Sequence, residues 1–324
     1  AAVAWLLDAG ARIDSEDQRG WTPLQAARSR GHRDVETLLL DRGARPPAAG
    51  PERAAPRDRA ATPSDLVRAA RAGAADEVGR LLAAGIDVDA SVDGATALTA
   101  AVAGGHAVIV SAVLAAGADP ALRDRAGESA LEIAARLGHA GITGVLLKAG
   151  AEDAAAGSAR PTATLLATWL GFNPVLALLL RSGADAGQAD PVGCTLLCHA
   201  ARRGDPEATR LLLGAGADPA VGTADGNTPL HVAAARNQVA VVRLLLDARA
   251  VPDARNGQGL TPLMLAAMAG HAGAATALLD AGADPGLVNP DRRTARDLAA
   301  MGRHDAVVRL LEARQPGLGL FGRR

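Results

Sequence analysis

Apolar and polar positions along this chain follow a short, repeated pattern. Apolar residues come in pairs of helix-like segments, the first with small residues such as Ala233 and Ala234, the second with apolar residues at helical spacing that end at Gly-Ala-Asp. A Gly or Asn stands between most paired segments, where a left-handed turn is favoured. Each unit is therefore predicted to be a helix, a turn, a second helix and a polar hairpin.

The unit recurs along nearly the whole chain. A Ser or Thr stands nine residues before the turn position, and these residues number repeats 1 to 9 in chain order: Thr22, Ser64, Thr96, Ser129, Thr162, Thr195, Thr228, Thr261 and Thr294. From Thr96 onward each step is 33 residues. A fixed period of this length is typical of a repeat array in which each unit packs on its neighbours.

Three stretches carry a more specific signature: "DQRGWTPLQAARSRGH" at 17–32, "TADGNTPLHVAAARNQ" at 223–238 and "NGQGLTPLMLAAMAGH" at 256–271. They resemble the ankyrin repeat, whose unit of about 33 residues contains Thr-Pro-Leu-His-x-Ala. The resemblance covers nearly everything from Ala1 to Arg314. It implies an all-α, curved right-handed ankyrin-repeat solenoid of helix-turn-helix units with hairpin loops. First helices and hairpin tips would line a concave face that mostly binds other proteins.

The spacing is interrupted between repeats 1 and 2. Nine extra residues there belong to a stretch rich in Pro, Ala and Arg, which predicts a linker at 46–61. Residues 1–45, a partial repeat and one full repeat, are then the tail of an upstream ankyrin array that extends before Ala1. Residues 62–314 form a second array of about eight repeats, and 315–324 a flexible tail. A single stack with one long hairpin is the alternative.

Composition and charge narrow the class of function. The formal net charge is -1, so no attraction of the whole molecule to nucleic acid is expected. The uncharged stretch 161–180 falls inside repeat 5 in register and is broken at Gly171 and Pro174, so membrane insertion is not predicted. Two cysteines cannot form a disulfide framework, which favours a reducing, cytoplasmic location, with secretion as an effector or a periplasmic site left open. The Ala, Gly, Pro and Arg bias is typical of a GC-rich bacterial genome.

Residues able to carry chemistry are few. Of the seven histidines, the resemblance gives a structural role to His231 in the signature and to the five that follow a turn: His32, His106, His139, His271 and His304. His199 is left over beside Cys198, and with Cys194 it suggests a Cys-x3-Cys-His metal site. A structural zinc site needs a fourth ligand, however, and buried Cys commonly acts as a small apolar residue. No metal, cofactor or catalytic group is predicted.

The predicted function is therefore a non-enzymatic scaffold for protein-protein interaction, acting as a monomer. The resemblance places contacts at hairpin tips and at the two residues before each turn. The predicted partner-binding residues are Arg136, Leu137, Trp169, Leu170, Arg202, Arg203, Arg236 and Met268. Because Trp and Arg are enriched at binding hot spots, this stripe predicts a partner with an acidic surface and an apolar centre.

Two alternatives remain open from the sequence. In the first alternative, the arginines of the stripe are only solvated and Trp169 only packs on its neighbours, so the stripe is not a binding surface. In the second, the chain is the recognition arm of a larger multidomain enzyme or effector whose catalytic part lies upstream of Ala1.

Overall fold

The structure is a computed structural model, and it describes residues 3, 11–15, 21–29, 32–44, 61–153 and 160–314. Contacts divide the chain into two compact units, Ala1–Ala60 and Ala61–Arg324, each described here by itself. The predicted linker over 46–61, apart from Ala61, and the predicted tail over 315–324 lie outside the described residues.

The first unit contains one described helix pair. Helix α1 spans Pro23–Ser29 and helix α2 spans Arg33–Asp41. Between them lies a small buried core, against which Val3, Ile13 and Val35 also pack; its members are Leu24, Ala27, Leu39 and Ala44. Helices α1 and α2 are the two helices predicted for repeat 1.

The second unit contains eight described helix pairs, one for each of repeats 2 to 9. In chain order they are α3 (Pro63–Ala72) with α4 (Ala75–Ala83), α5 (Ala97–Ala103) with α6 (Ala107–Ala115), α7 (Ala130–Leu137) with α8 (Ala140–Lys148), α9 (Ala163–Leu170) with α10 (Asn173–Arg181), α11 (Leu196–Arg203) with α12 (Pro206–Gly214), α13 (Pro229–Ala234) with α14 (Val239–Asp247), α15 (Pro262–Met268) with α16 (Ala272–Asp280), and α17 (Ala295–Met301) with α18 (Asp305–Arg314). Each first helix packs on the first helix of the next repeat, and second helices do the same. The predicted all-α repeat architecture is confirmed.

The turn between paired helices is left-handed in every repeat of the second unit. Glycine holds this position in six of the eight, while Asn237 has a φ of 55° and Arg303 a φ of 59°. Asn tolerates this region better than other residues with a Cβ, as the sequence pattern indicated. The backbone requirement of the turn is therefore kept even where glycine is replaced.

The Ser or Thr that numbers each repeat directly precedes the first helix, with one exception. Thr195 accepts a hydrogen bond from the Cys198 N–H, as an N-cap residue should. In repeat 2 the cap is Thr62 and not Ser64, because α3 begins at Pro63. The Asp65 carboxylate accepts hydrogen bonds from both the N–H and the hydroxyl of Thr62, which fixes the earlier start.

One continuous apolar core runs through the second unit, from Leu66 to Leu311. Its first helices meet through small residues, such as the fully buried Ala233 and Ala234, which let neighbouring backbones approach closely. Because each repeat buries its apolar face against the next, the array folds without large aromatic side chains. Among the described residues no helix is both long and apolar enough to cross a membrane.

Candidate partner-binding site

A groove of about 750 Å³ lies against the hairpins and first helices of repeats 6 to 8, and we call it the repeat groove. Its lining residues are Val192, Cys194, Arg202, Thr223, Ala224, Asp225, Asn227, His231, Val232, Ala235, Arg236, Asn256, Gly257, Gln258 and Leu265. The hairpins supply mostly polar groups, and the first helices supply apolar and basic side chains in equal number. The groove therefore combines hydrogen-bonding groups with apolar surface, as protein-binding sites commonly do.

A second cavity of about 310 Å³ adjoins the last turns of the first helices of repeats 5 and 6, and we call it the Trp169 pocket. It is lined by Trp169, His199, Arg202 and Arg203. Arg202 lines both this pocket and the repeat groove. The two cavities are therefore neighbours that share one guanidinium group.

Trp169 is half-buried and takes part in both packing and the pocket wall. Its ring packs against the apolar core of the array, and it meets the His199 ring edge to face. The Trp169 Nε1 atom is buried and has no hydrogen-bond partner in the described part of the chain. This indole N–H is therefore a buried donor without an acceptor, and such a group lowers the stability of the fold.

Two arginines of the predicted stripe occupy equivalent positions but have different partners. Arg136 donates from Nε and Nη2 to the Glu128 carboxylate, at 3.0 and 2.7 Å. Arg202, two repeats later, donates from Nη2 to the Cys194 Sγ at 3.3 Å. A hydrogen bond with Cys198, and then burial, raise the pKa of Cys194, so its thiol is neutral. The charge of Arg136 is thus compensated by a carboxylate, whereas Arg202 forms no ion pair with any described residue.

Arg203 and Arg236 also differ from each other. Arg203 donates from Nη1 to the backbone carbonyl of Trp169 at 2.9 Å, which ties repeat 6 to repeat 5. Arg236 is exposed, lines the repeat groove and makes no ion pair within the described residues. Arg203 therefore has a structural contact as well as a place in the pocket, whereas the head of Arg236 is available to a ligand.

The structure brings together only part of the predicted set. Trp169, Arg202 and Arg203 meet in one pocket, and Arg202 and Arg236 line the repeat groove. The other four, which line neither of these two cavities, are Arg136, Leu137, Leu170 and Met268. Of these, Leu137, Leu170 and Met268 are exposed at the ends of their first helices.

A buried polar cluster lies beside the pocket and includes a residue that the sequence analysis missed. The Oδ1 atom of Asp190 accepts hydrogen bonds from the N–H groups of Val192 and Cys194, at 3.0 and 2.8 Å. Its Oδ2 atom is 2.9 Å from Nε2 of His199. Burial opposes ionisation of Asp190, but hydrogen bonds from Cys194 N–H and His199 outweigh it and lower its pKa.

The side-chain ligand atoms of Asp190, Cys194 and His199 all lie within 4.8 Å of one another. The sequence carried a signal for this cluster in its spacing. Residues nine apart within one repeat meet across the hairpin, as the Arg123–Glu132 ion pair at 2.9 Å also does. Asp190 and His199 are likewise nine apart.

Other histidines have structural contacts of the kind that the resemblance implies. His106 Nε2 lies 3.2 Å from the Arg71 carbonyl oxygen, and His304 Nε2 lies 3.0 Å from that of Met268. His231 pairs with Thr228 in its own repeat, through Nδ1 and the threonine hydroxyl at 2.8 Å. These contacts join helix ends within and between repeats.

Comparison with family models agrees with this architecture. A model described as "Ankyrin repeats (3 copies)" matches residues 66–155, 165–256 and 248–317, and one described as "Ankyrin repeat" matches residues 19–50. Because these matches span most of the sequence, the chain belongs to the ankyrin repeat family. Ankyrin repeats generally serve as protein-binding modules. Neither match shows the bacterial origin that the composition indicated, and no curated protein matches the chain.

Proposed function

We propose that residues 62–314 form a non-enzymatic recognition array that binds a partner protein through the Trp169 pocket and the repeat groove. The observation that carries this proposal is the position of Arg202, which lines both cavities. An aromatic wall, a guanidinium without a compensating carboxylate and an extended groove thus lie side by side on repeats 5 to 8.

The chemistry of the two cavities favours an acidic partner with an apolar side chain. The Trp169 pocket offers guanidinium groups and an aromatic face, and its four lining residues include no carboxylate. In the repeat groove Asp225 is the only acidic lining residue, against Arg202 and Arg236. An apolar side chain at Trp169 flanked by carboxylates would pair with these groups.

The proposed site has a centre and a margin. Its centre is Trp169 with Arg202, Arg203 and Arg236, which line the cavities. Leu137, Leu170 and Met268 extend the exposed apolar surface beside it. Arg136 contributes least, because a partner carboxylate would have to displace Glu128 from a bidentate ion pair.

Selection of peptides on the intact chain tests this function. A random peptide library is selected on the immobilised full chain, and enriched sequences are measured against variants by calorimetry. Selected peptides are expected to carry an apolar residue flanked by Asp or Glu. Arg236→Glu should weaken them and slow their association in a salt-dependent way.

The matched control is Arg309→Glu, an exposed arginine on α18, the second helix of repeat 9, which lines neither cavity. It should leave both affinity and association rate unchanged. Peptides that bind equally to the Arg236→Glu and Arg309→Glu variants, or that carry no acidic residues, would show that partner binding uses another surface.

A further inference from the structure

We propose that Asp190, Cys194 and His199 form a binding site for a zinc-class divalent cation, with three protein ligands and one open coordination position. The proposal rests on the side-chain cluster beside the Trp169 pocket and not on the partner-binding function. A carboxylate, a thiol and an imidazole together are a donor set suited to Zn²⁺ and poorly suited to Mg²⁺ or Ca²⁺.

The dimensions of the cluster fit a tetrahedral ion. Bond lengths of about 2.0 Å to nitrogen and oxygen place neighbouring ligand atoms about 3.3 Å apart, and a thiolate slightly further. Asp190 Oδ2 and His199 Nε2 are 2.9 Å apart, so an ion requires them to separate by only a few tenths of an ångström. The Cys194 Sγ lies within 4.8 Å of a ring nitrogen of His199 and of a carboxylate oxygen of Asp190.

The two carboxylate oxygens of Asp190 have different contacts, so one of them can coordinate the ion. Oδ1 is occupied by the backbone N–H groups of the hairpin, which fix the carboxylate in place. Within the described part of the chain, Oδ2 meets only the imidazole of His199. The hairpin therefore holds a ligand oxygen in position, and Trp169 packed against the His199 ring limits the rotation of the second ligand.

All three side chains are enclosed, yet the ion has a route in. The side chains of Asp190 and His199 are 8 and 9% exposed. Cys194 lines the repeat groove and His199 lines the Trp169 pocket, so each borders a cavity open to solvent. On binding, Cys194 gives up its proton to solvent and its sulfur bonds to the ion as a thiolate.

Arg202 is compatible with this site. Its side chain is exposed and approaches Cys194 from the cavity side, and its N–H donates to the sulfur. Hydrogen bonds of this kind to a metal-bound ligand orient it from outside. Cys198 is not a member of the group of ligand atoms, although its thiol also contacts that of Cys194. The Cys198 Sγ lies 3.9 Å from the Asn227 carbonyl oxygen in the next repeat.

The chain itself supplies replacements that preserve the repeat fold. Asn256 and Asn289 occupy the place of Asp190 in repeats 8 and 9 and accept the same hairpin hydrogen bonds through Oδ1. Val232 occupies the place of His199 in repeat 7, and Thr99 that of Cys198 in repeat 3. Asp190→Asn and His199→Val thus remove ligands, and Cys198→Thr removes the other thiol while leaving the three ligands.

The test is a titration of the full chain, freed of metal and kept reduced, with Co²⁺ and then Zn²⁺. We expect one Co²⁺ per chain with thiolate-to-cobalt charge-transfer absorption, displaced by Zn²⁺ but not by Mg²⁺. Zn²⁺ should raise the melting temperature of the unmodified chain and of Cys198→Thr. Asp190→Asn and His199→Val should each weaken Zn²⁺ binding by more than about 100-fold, since even outer partners of a ligand contribute 10 to 100-fold.

Three outcomes would overturn the proposal. The first is the absence of thiolate-to-cobalt absorption in the unmodified chain. The second is equal Zn²⁺ affinity in the unmodified chain and in folded Asp190→Asn, which would leave the Asp190–His199 contact as a hydrogen bond that only supports the hairpin. The third is loss of Zn²⁺ binding in Cys198→Thr, which would show that Cys198, and not Cys194, supplies the thiolate.

Discussion

The rings of Trp169 and His199 meet edge to face, with their centroids 5.4 Å apart and their planes at 71°. Trp169 belongs to repeat 5 and His199 to repeat 6, so this contact crosses a boundary between repeats. Aromatic pairs in this geometry contribute about 0.5 to 1.5 kcal/mol beyond the area that they bury. The contact fixes the wall of the Trp169 pocket relative to the arginines on the next helix.

Truncation of Trp169 separates its two roles. Trp169→Ala introduces the residue that repeats 3 and 7 have at this position, Ala103 and Ala235, and should preserve the helices. Affinity for a selected acidic peptide is expected to fall by roughly 2 kcal/mol, or about 30-fold, because the aromatic anchor is lost. Calorimetry gives the affinity and circular dichroism the helical content. Unfolding of the array without a separate loss of affinity would identify Trp169 as a core residue only.

We expect that replacing Arg249, at the end of α14, with glycine stabilises the array. Its φ is 64°, in a position that glycine holds at the ends of seven other second helices. A side chain there costs on the order of 1 kcal/mol, so Arg249→Gly should raise the melting temperature by about 2 °C. Gly282→Ala is the reciprocal control, because its new Cβ meets nothing within 4 Å and any loss reports backbone strain. A lower melting temperature for Arg249→Gly would contradict the strain argument.

We expect the array to lose stability in acid because of the buried His231. Burial lowers the pKa of this imidazole below its ordinary 6.5. The Thr228 N–H donates to Nδ1, and Nε2 donates to the Leu260 carbonyl at 3.0 Å, so the fold favours the neutral ring. Its contribution is complete above pH 6.5 and is lost as pH falls through the folded-state pKa.

Thermal unfolding followed from about pH 7.5 to about pH 5 measures this contribution. The matched variant is His231→Met, which introduces the residue that repeat 8 has at the equivalent position, Met264. Its melting temperature should decline less steeply with falling pH than that of the unmodified chain. Identical slopes would mean that other groups carry the acid sensitivity.

The corrected start of α3 is testable with adjacent residues. Thr62→Ala should lower the free energy of unfolding by about 1 kcal/mol, as the loss of an N-cap does. Ser64→Ala, an exposed change inside the same helix, should stay within about 0.5 kcal/mol. Denaturant unfolding of both variants decides between the two starts, and the reverse order of effects would restore the cap to Ser64.

The period of the sequence was sufficient to predict the helix pairs, because every repeat must meet the same neighbours in the same way. It also predicted the left-handed turn at Asn237, where only the backbone matters. It did not predict the start of α3, because Thr62 and Asp65 form a capping pair and the helix begins two residues earlier than a cap at Ser64 would allow. Local hydrogen bonding overrides the period at this repeat.

The candidate sites were harder to predict than the fold. The sequence predicts that Trp169 and Arg202 share one face. It does not predict the hydrogen-bond partner of each arginine, because that partner depends on the residue before each cap. It also presents Cys194, Cys198 and His199 as neighbours, although the group of ligand atoms in the structure contains Asp190 and not Cys198. The direction of each side chain across the hairpin determines which residues form the cluster. A pattern of residue types does not contain that information.

The residue before each cap therefore acts as a switch for the arginine eight positions later. Glu128 holds Arg136 and withdraws its charge from the surface, whereas Cys194 leaves the charge of Arg202 uncompensated. One substitution at this position changes which guanidinium groups face a ligand, at a residue that is half-buried in Glu128 and buried in Cys194. The recognition pattern of such an array is thus adjustable one repeat at a time.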